Sequence, residues 1–173
     1  MRITDERLQS FIRDGGLIPE DSLAHALSEA KKESKTLHET ILNLGLMSET
    51  DLRKLEAYIL GIPFIDLTKE AIDPAVLHLI PEPIAQKYSI VAYKKTGGGL
   101  QIAMLAPSNI EIIEFIKKTT GLKILPRLTN TESIREGLKQ YRKSLEVEFK
   151  EILGDTIKPE EEIEAMRIQK ESV

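Results

Sequence analysis

The chain contains no cysteine and no tryptophan, and only 5% of its residues are aromatic. Without thiols there is no disulfide, no thiolate metal site and no cysteine nucleophile, a usage that agrees with a reducing cytoplasm. No uninterrupted apolar run approaches the roughly 20 residues that a membrane helix needs. The amino terminus, MRITDERLQSFIRDGG, carries charge throughout where a signal peptide would be apolar. The expectation is a soluble, cytoplasmic chain that meets a membrane only through a partner. Basic charge is also in short supply: 24 Lys and Arg stand against 28 Asp and Glu, a formal net charge of -4. The long-range field therefore repels phosphate polymers and gives no support for general nucleic-acid binding, while leaving room for a local basic patch.

Catalytic patterns are missing as well. His25, His38 and His78 are too scattered for a metal pattern, no serine sits in G-x-S-x-G, and no histidine is placed as its base. Acidic residues are abundant, and no pair stands out as a general acid and base. Neither a catalytic residue, a cofactor site nor a metal site is expected in this chain.

What remains is sufficient for a packed core: 173 residues, 41% hydrophobic and 30% charged, suit one or two small domains. In the first sixty residues Leu8, Phe11 and Ile12 recur at helical spacing and Gly15-Gly16 break the stripe. Pro19 then opens a second helix with Glu20 and Asp21 in its first turn and Leu23, Ala26, Leu27 and Ala30 on its apolar face. The pattern returns 29 residues later: Leu8, Ile12, Gly16, Leu17, Ile18 and Leu23 map onto Leu37, Ile41, Gly45, Leu46, Met47 and Leu52. A constant offset of this kind predicts two stacked helical hairpins sharing one core.

After Leu60 the texture changes. GIPFIDL suits an extended connector or edge strand, and Asp73-Pro74 and Pro81 each start a short helix. SIVAYKK and LQIAML form a hairpin around Gly97, Gly98 and Gly99. IEIIEFIKKTTG is a helix with Ile110, Ile113, Phe115 and Ile116 as its stripe and Gly121 as its cap. LKILPRL is a third strand, and Asn130 or Thr131 caps a last helix through Ile134, Leu138 and Tyr141.

The stretch KKTGGGLQIAML raises the question of a phosphate loop. That chemistry needs G-x-x-x-x-G-K-[ST] between a strand and a helix, so that backbone N-H groups and a lysine surround the phosphates. Here Leu100 and Gln101 follow the glycines and a strand comes next. The glycines are expected to supply positive φ at a hairpin tip.

The expected fold is α+β: amino-terminal helical hairpin repeats over 1–60, then a mixed α/β subdomain over 61–144 with a three-stranded sheet flanked by helices. Residues 145–173 are expected to be a linker or marginal helix, since DTIKPEEEIEAMRIQKESV is charged with isolated apolar positions.

The motifs LGIPFIDL (Leu60 to Leu67), IDP (Ile72 to Pro74), IPEPIAQKY (Ile80 to Tyr88), LQIAMLAPSN (Leu100 to Asn109) and TGLKILPRL (Thr120 to Leu128) follow one another at specific distances. In that order they resemble the MshEN-type amino-terminal domain of the motor ATPases of type II secretion and type IV pilus assembly, over residues 5 to 142. The resemblance implies a noncatalytic docking and regulatory domain for the cytoplasmic part of an inner-membrane platform protein. It places the ATPase core, with ATP and magnesium, beyond Val173. Localisation would be peripheral to the inner membrane through the partner, with no direct membrane insertion and no nucleic acid bound.

In a subset of that family the paired repeats bind cyclic di-GMP through arginines, glutamines, glycines and exposed leucines. A guanidinium can pair bidentately with guanine O6 and N7, and apolar side chains can cover the bases. Carried over by position, the ligand-binding candidates are Arg7, Leu8, Gly16, Leu17, Leu37, Gly45 and Leu46, with Ile18, Leu23, Ala26, Leu27, Met47 and Leu52 also matching. The pattern is broken where Gln9 and His38 replace glycines, Thr36 replaces the second arginine, and Ala30 and Ile59 replace both glutamines. Each lost charged hydrogen bond forfeits about 1.5 to 3 kcal/mol, and Lys35 beside Thr36 is a point charge that cannot copy the planar fork. A nucleic-acid reader is disfavoured because Glu49, Asp51 and Glu56 interrupt any basic face around Arg53 and Lys54.

Overall fold

The computed structural model describes residues 2–153. Helices α1 (Asp5–Gly15), α2 (Glu20–Glu33), α3 (Leu37–Asn43) and α4 (Glu49–Leu60) come first, each begun by the local chemistry of its sequence. Thr4, Thr36 and Ser48 turn their hydroxyls back onto the N-H groups of Arg7, Glu39 and Asp51, satisfying donors that the first helical turn leaves open. Thr36 and Glu39 bond reciprocally as a capping box. Leu8, Ile12, Leu23, Ala26, Leu37, Ile41 and Leu52 close a helical core.

The second half follows as α5 (Pro74–Leu77), α6 (Glu82–Tyr88), β1 (Ile90–Thr96), β2 (Gly99–Met104), α7 (Ile110–Thr120), β3 (Ile124–Leu128) and α8 (Thr131–Leu153). The sheet order is β1-β2-β3, with β1 antiparallel and β3 parallel to β2. A parallel neighbour needs a crossover, and α7 supplies it. Residues 63–65 extend beside β3, where Ile65 N donates to Leu128 O at 2.9 Å and Leu128 N to Pro63 O at 3.0 Å. A second apolar core gathers Leu77, Ile80, Ile90, Leu100, Ile102, Ile116 and Tyr141. The architecture is α+β.

Two local expectations are corrected. Of the three glycines at the hairpin only Gly99 has a positive φ, 139°. Gly97 and Gly98 form the two-residue tip, while Gly99 is already in β2 and pairs with Thr96. Its missing side chain is required by proximity, since a Cβ there would lie 2.3 Å from Lys123 O. The stripe of α7 is also rotated: Ile112 and Ile116 are buried, whereas Ile110 and Phe115 are exposed. In a run with five apolar residues, periodicity alone does not choose the inward face.

Helix α8 crosses 144 and 145 without interruption and is helical to Leu153, the last described residue. Asn130 Oδ1 accepts from Ser133 N at 2.8 Å and so begins it. From Leu145 onward its side chains are exposed. The rest of the expected linker, 154–173, lies outside the described residues.

Side chains tie the halves together. Arg53 donates to Leu105 O at 2.9 Å, Asn130 Nδ2 to Thr50 Oγ1 at 3.1 Å, and Thr131 N and Oγ1 to Glu49 Oε1 at 2.7 and 2.6 Å.

Candidate ligand and partner surfaces

The 29-residue repeat is a repeat of geometry. Gly16 and Gly45 have φ of 59° and 65°. Leu17 N and Leu46 N each donate to the carbonyl five residues back, Ile12 and Ile41, both at 3.1 Å. Gly16 N and Gly45 N donate to Arg13 O and Leu42 O at 3.2 and 3.1 Å. These are paired helix-ending turns that only a residue tolerating left-handed backbone closes without strain.

The seven candidate residues divide by burial. Leu8 and Leu37 are 2% and 0% exposed and belong to the helical core. Gly16, Leu17 and Gly45 are at the surface and Leu46 is half-buried. Arg7 is exposed on α1, and its Nη2 donates to Ile59 O at 3.3 Å, near the end of α4. That end carries the negative pole of the helix dipole, so a guanidinium there is favoured. One turn further along α1, Phe11 meets Tyr58 edge to face, centroids 6.1 Å apart.

Asp5 was not singled out by sequence, yet its Oδ2 accepts from Leu37 N at 3.2 Å and joins the start of α1 to the start of α3. His38, where the repeat would have glycine, places Nδ1 2.8 Å from Glu56 Oε1, both side chains largely buried. Thr36, His38 and Glu56 line a cleft of about 400 Å³ together with Thr4, Asp5 and Leu8. Thr4, Asp5 and Thr36 accept there from the backbone N-H groups of Arg7, Leu37 and Glu39, and His38 faces Glu56. Among the described residues no group of three or more His, Asp or Glu is placed to hold a metal ion.

A different surface lies between α6 and α7. A groove of about 330 Å³ is walled by Ile84, Tyr88, Ile112 and Phe115, with Lys87 and Glu111 also lining it. Of its walls Tyr88 and Phe115 are 36% and 46% exposed, and Ile110, outside the groove at the start of α7, is 64% exposed. Exposed clusters of this kind mark contact sites more often than isolated apolar residues do. The sequence signal was the pair of apolar residues left over once the inward face of α7 is satisfied.

Burial shifts the acid chemistry of one group elsewhere and hydrogen bonding that of another. The Tyr141 hydroxyl donates to Ile80 O at 2.6 Å and lies 3.0 Å from Leu77 O, and burial pushes its pKa up to about 12. The Asp66 carboxyl is held below the ordinary carboxylate value, first by the Thr68 hydroxyl at 2.6 Å and then by the Thr68 N-H.

Helical repeats joined to a three-stranded mixed sheet define an α+β module. Residues 60–148 match the MshEN domain, and the chain belongs to that family. It is 28% identical over 149 residues to the type IV pilus assembly ATPase PilB of Myxococcus xanthus, covering 86% of this chain and 26% of that protein. It is 27% identical over 143 residues to PilB of Thermus thermophilus, covering 82% and 16%. The chain thus spans about a quarter or less of the length of these relatives.

Among solved structures, MshE with cdg superposes with a TM-score of 0.67 at 26% identity, over 78% of this chain and 98% of that one. The amino-terminal domain of XpsE has the same fold, with a TM-score of 0.58 at 17% identity over 81% and 97%.

Proposed function

We propose that the chain is a noncatalytic docking and regulatory domain of a type II secretion or type IV pilus assembly ATPase, binding the cytoplasmic part of an inner-membrane platform protein. The observation that carries this reading is coverage. The PilB relatives align over four-fifths or more of this chain, while the chain accounts for only 26% and 16% of them. The likeness is therefore to one module of a larger motor, and ATP and magnesium belong to a core elsewhere in the parent. The glycine stretch supports the noncatalytic part, because Gly99 is packed against the Lys123 backbone and is followed by a strand. For the partner, the α6 and α7 groove offers apolar area that the domain itself leaves uncovered. Localisation follows as cytoplasmic and peripheral to the inner membrane through that partner. A pull-down with the cytoplasmic domain of the cognate platform protein tests the reading; recovery no greater than with an unrelated bait contradicts it.

A second reading is favoured by one observation, the likeness to MshE with cdg. On that reading Arg7, Leu8, Gly16, Leu17, Leu37, Gly45 and Leu46 form part of a cyclic di-GMP site, with Arg7 the only one of them able to pair with a guanine. Loss of the other arginine and both glutamines places the affinity well below that of an intact repeat pair. Titration with labelled dinucleotide decides it: saturable binding abolished by Arg7→Ala supports a sensor, and no binding at high micromolar ligand removes it.

A further inference from the structure

The glycine stretch has a twin. Lys94 to Leu100 reads KKTGGGL, and Lys117 to Leu122 reads KKTTGL before Lys123. The topology brings the two together. Because β2 and β3 are parallel and α7 returns the chain between them, the end of α7 and the hairpin tip occupy one end of the sheet. Leu100 N donates to Lys123 O at 2.7 Å, and a Cβ on Gly99 would lie 3.1 Å from Lys123 Cβ.

This end carries Lys94, Lys95, Lys117, Lys118 and Lys123, all exposed. Among the described residues none of the five has a carboxylate within ion-pair distance. Neither 94–101 nor 117–123 contains an acidic residue, on a chain whose formal net charge is -4. Some of these lysines have local duties: on the edge strand β1 they discourage pairing with another chain, and at the end of α7 they complement the helix dipole. Neither duty accounts for Lys123 or for the absence of carboxylates between them.

We propose that this end of the sheet is a polybasic tip that rests on an anionic phospholipid bilayer. Lysines are compact, hydrated charges without the planar fork that reads a particular phosphate. Threonine hydroxyls at the tip are engaged by its own backbone and not held out for a defined headgroup: Thr120 Oγ1 donates to Ile116 O at 2.6 Å, and Thr96 Oγ1 accepts from Gly98 N at 3.3 Å. No aromatic ring lies in either stretch, so unpaired bases have nothing to stack on. A field of mobile positive charges on an otherwise acidic molecule fits a broad negative surface and also orients the molecule on it. The choice of a bilayer over an acidic protein rests on the reading above, which sets the domain beside a membrane platform.

Co-sedimentation of the whole chain with vesicles of phosphatidylcholine, alone or mixed with phosphatidylglycerol, tests the tip without any platform protein. Binding to the mixed vesicles alone is expected at low salt, and its loss in about 0.5 M salt, where charges are screened within a few ångströms. Each lysine contributes about fivefold to partitioning, so the K94Q/K95Q/K123Q variant should bind on the order of 100-fold more weakly. K31Q/K32Q on α2 should change binding far less than the tip variant. All these side chains are exposed, and thermal melting of each variant should match the parent. The inference is overturned by absence of low-salt binding to mixed vesicles, by equal loss in both variants, or by retention on polyglutamate resin with vesicles ignored. Vesicle binding with failed platform recovery would separate the tip from the docking reading.

Discussion

Arg7 on α1 donates its guanidinium to the carbonyl of Ile59 on α4, 3.3 Å away and 52 residues along the chain. The one arginine retained from the dinucleotide-binding pattern thus has a partner inside the fold. Replacing Arg7 with alanine should destabilise the chain by about 1 kcal/mol, the usual net value of such a bond. Urea denaturation of both forms checks this. An unchanged midpoint would mean that the guanidinium is free for a ligand.

Gly99 and Gly97 should behave as opposites. Gly99→Ala forces a Cβ to 2.3 Å from Lys123 O at a φ of 139°, whereas nothing lies within 4 Å of a Cβ on Gly97. The first change should cost about 3 kcal/mol and the second less than about 0.5 kcal/mol. Thermal melting of the two variants distinguishes a backbone requirement at one glycine from a general need for flexibility at the tip.

Tyr141 provides a pH signature. Its folded pKa is pushed up to about 12, above the ordinary tyrosine value of about 10. The folded state therefore holds the proton more firmly than the unfolded chain does. That contribution is fully present below pH of about 10 and is lost as pH rises through about 12. Tyr141→Phe should lower stability by about 1 to 3 kcal/mol at neutral pH, because the buried Ile80 carbonyl loses its donor, and should flatten the decline between those two pH values. Denaturation midpoints across that interval report both effects.

The link between the halves is also testable. Glu49→Ala removes the acceptor for Thr131 N and Oγ1. The start of α8 should then exchange its amide hydrogens faster, with a loss of about 1 kcal/mol. Unchanged exchange at Thr131 and Glu132 would show that Asn130 and Arg53 hold the junction alone.

Much of this fold was legible in the sequence because the relevant chemistry is local. The matched pairs Gly16 and Gly45, Ile12 and Ile41, and Leu23 and Leu52 announced a repeated hairpin, and Pro19, Asp73 and Gly121 marked helix ends through backbone rules that act within a few residues. The inward face of α7 was not legible, since Ile110 and Ile112 are equally apolar and only packing against the sheet separates them. Partners far apart in sequence were also invisible, as with Arg53 and Leu105 or Glu49 and Thr131. The surface was read least well: matching by position gave seven residues, and it could not tell that Leu8 and Leu37 are core while Leu17 is half exposed.

Calorimetric titration of the cytoplasmic domain of the cognate platform protein into this chain, and into Phe115→Asp, tests the docking account most directly. Phe115 is 46% exposed, so its change should leave the fold intact. Saturable binding by the parent, weakened at least about tenfold by one charge placed in the groove, is the predicted result. Absence of heat up to high micromolar concentration, with both proteins folded, would contradict it.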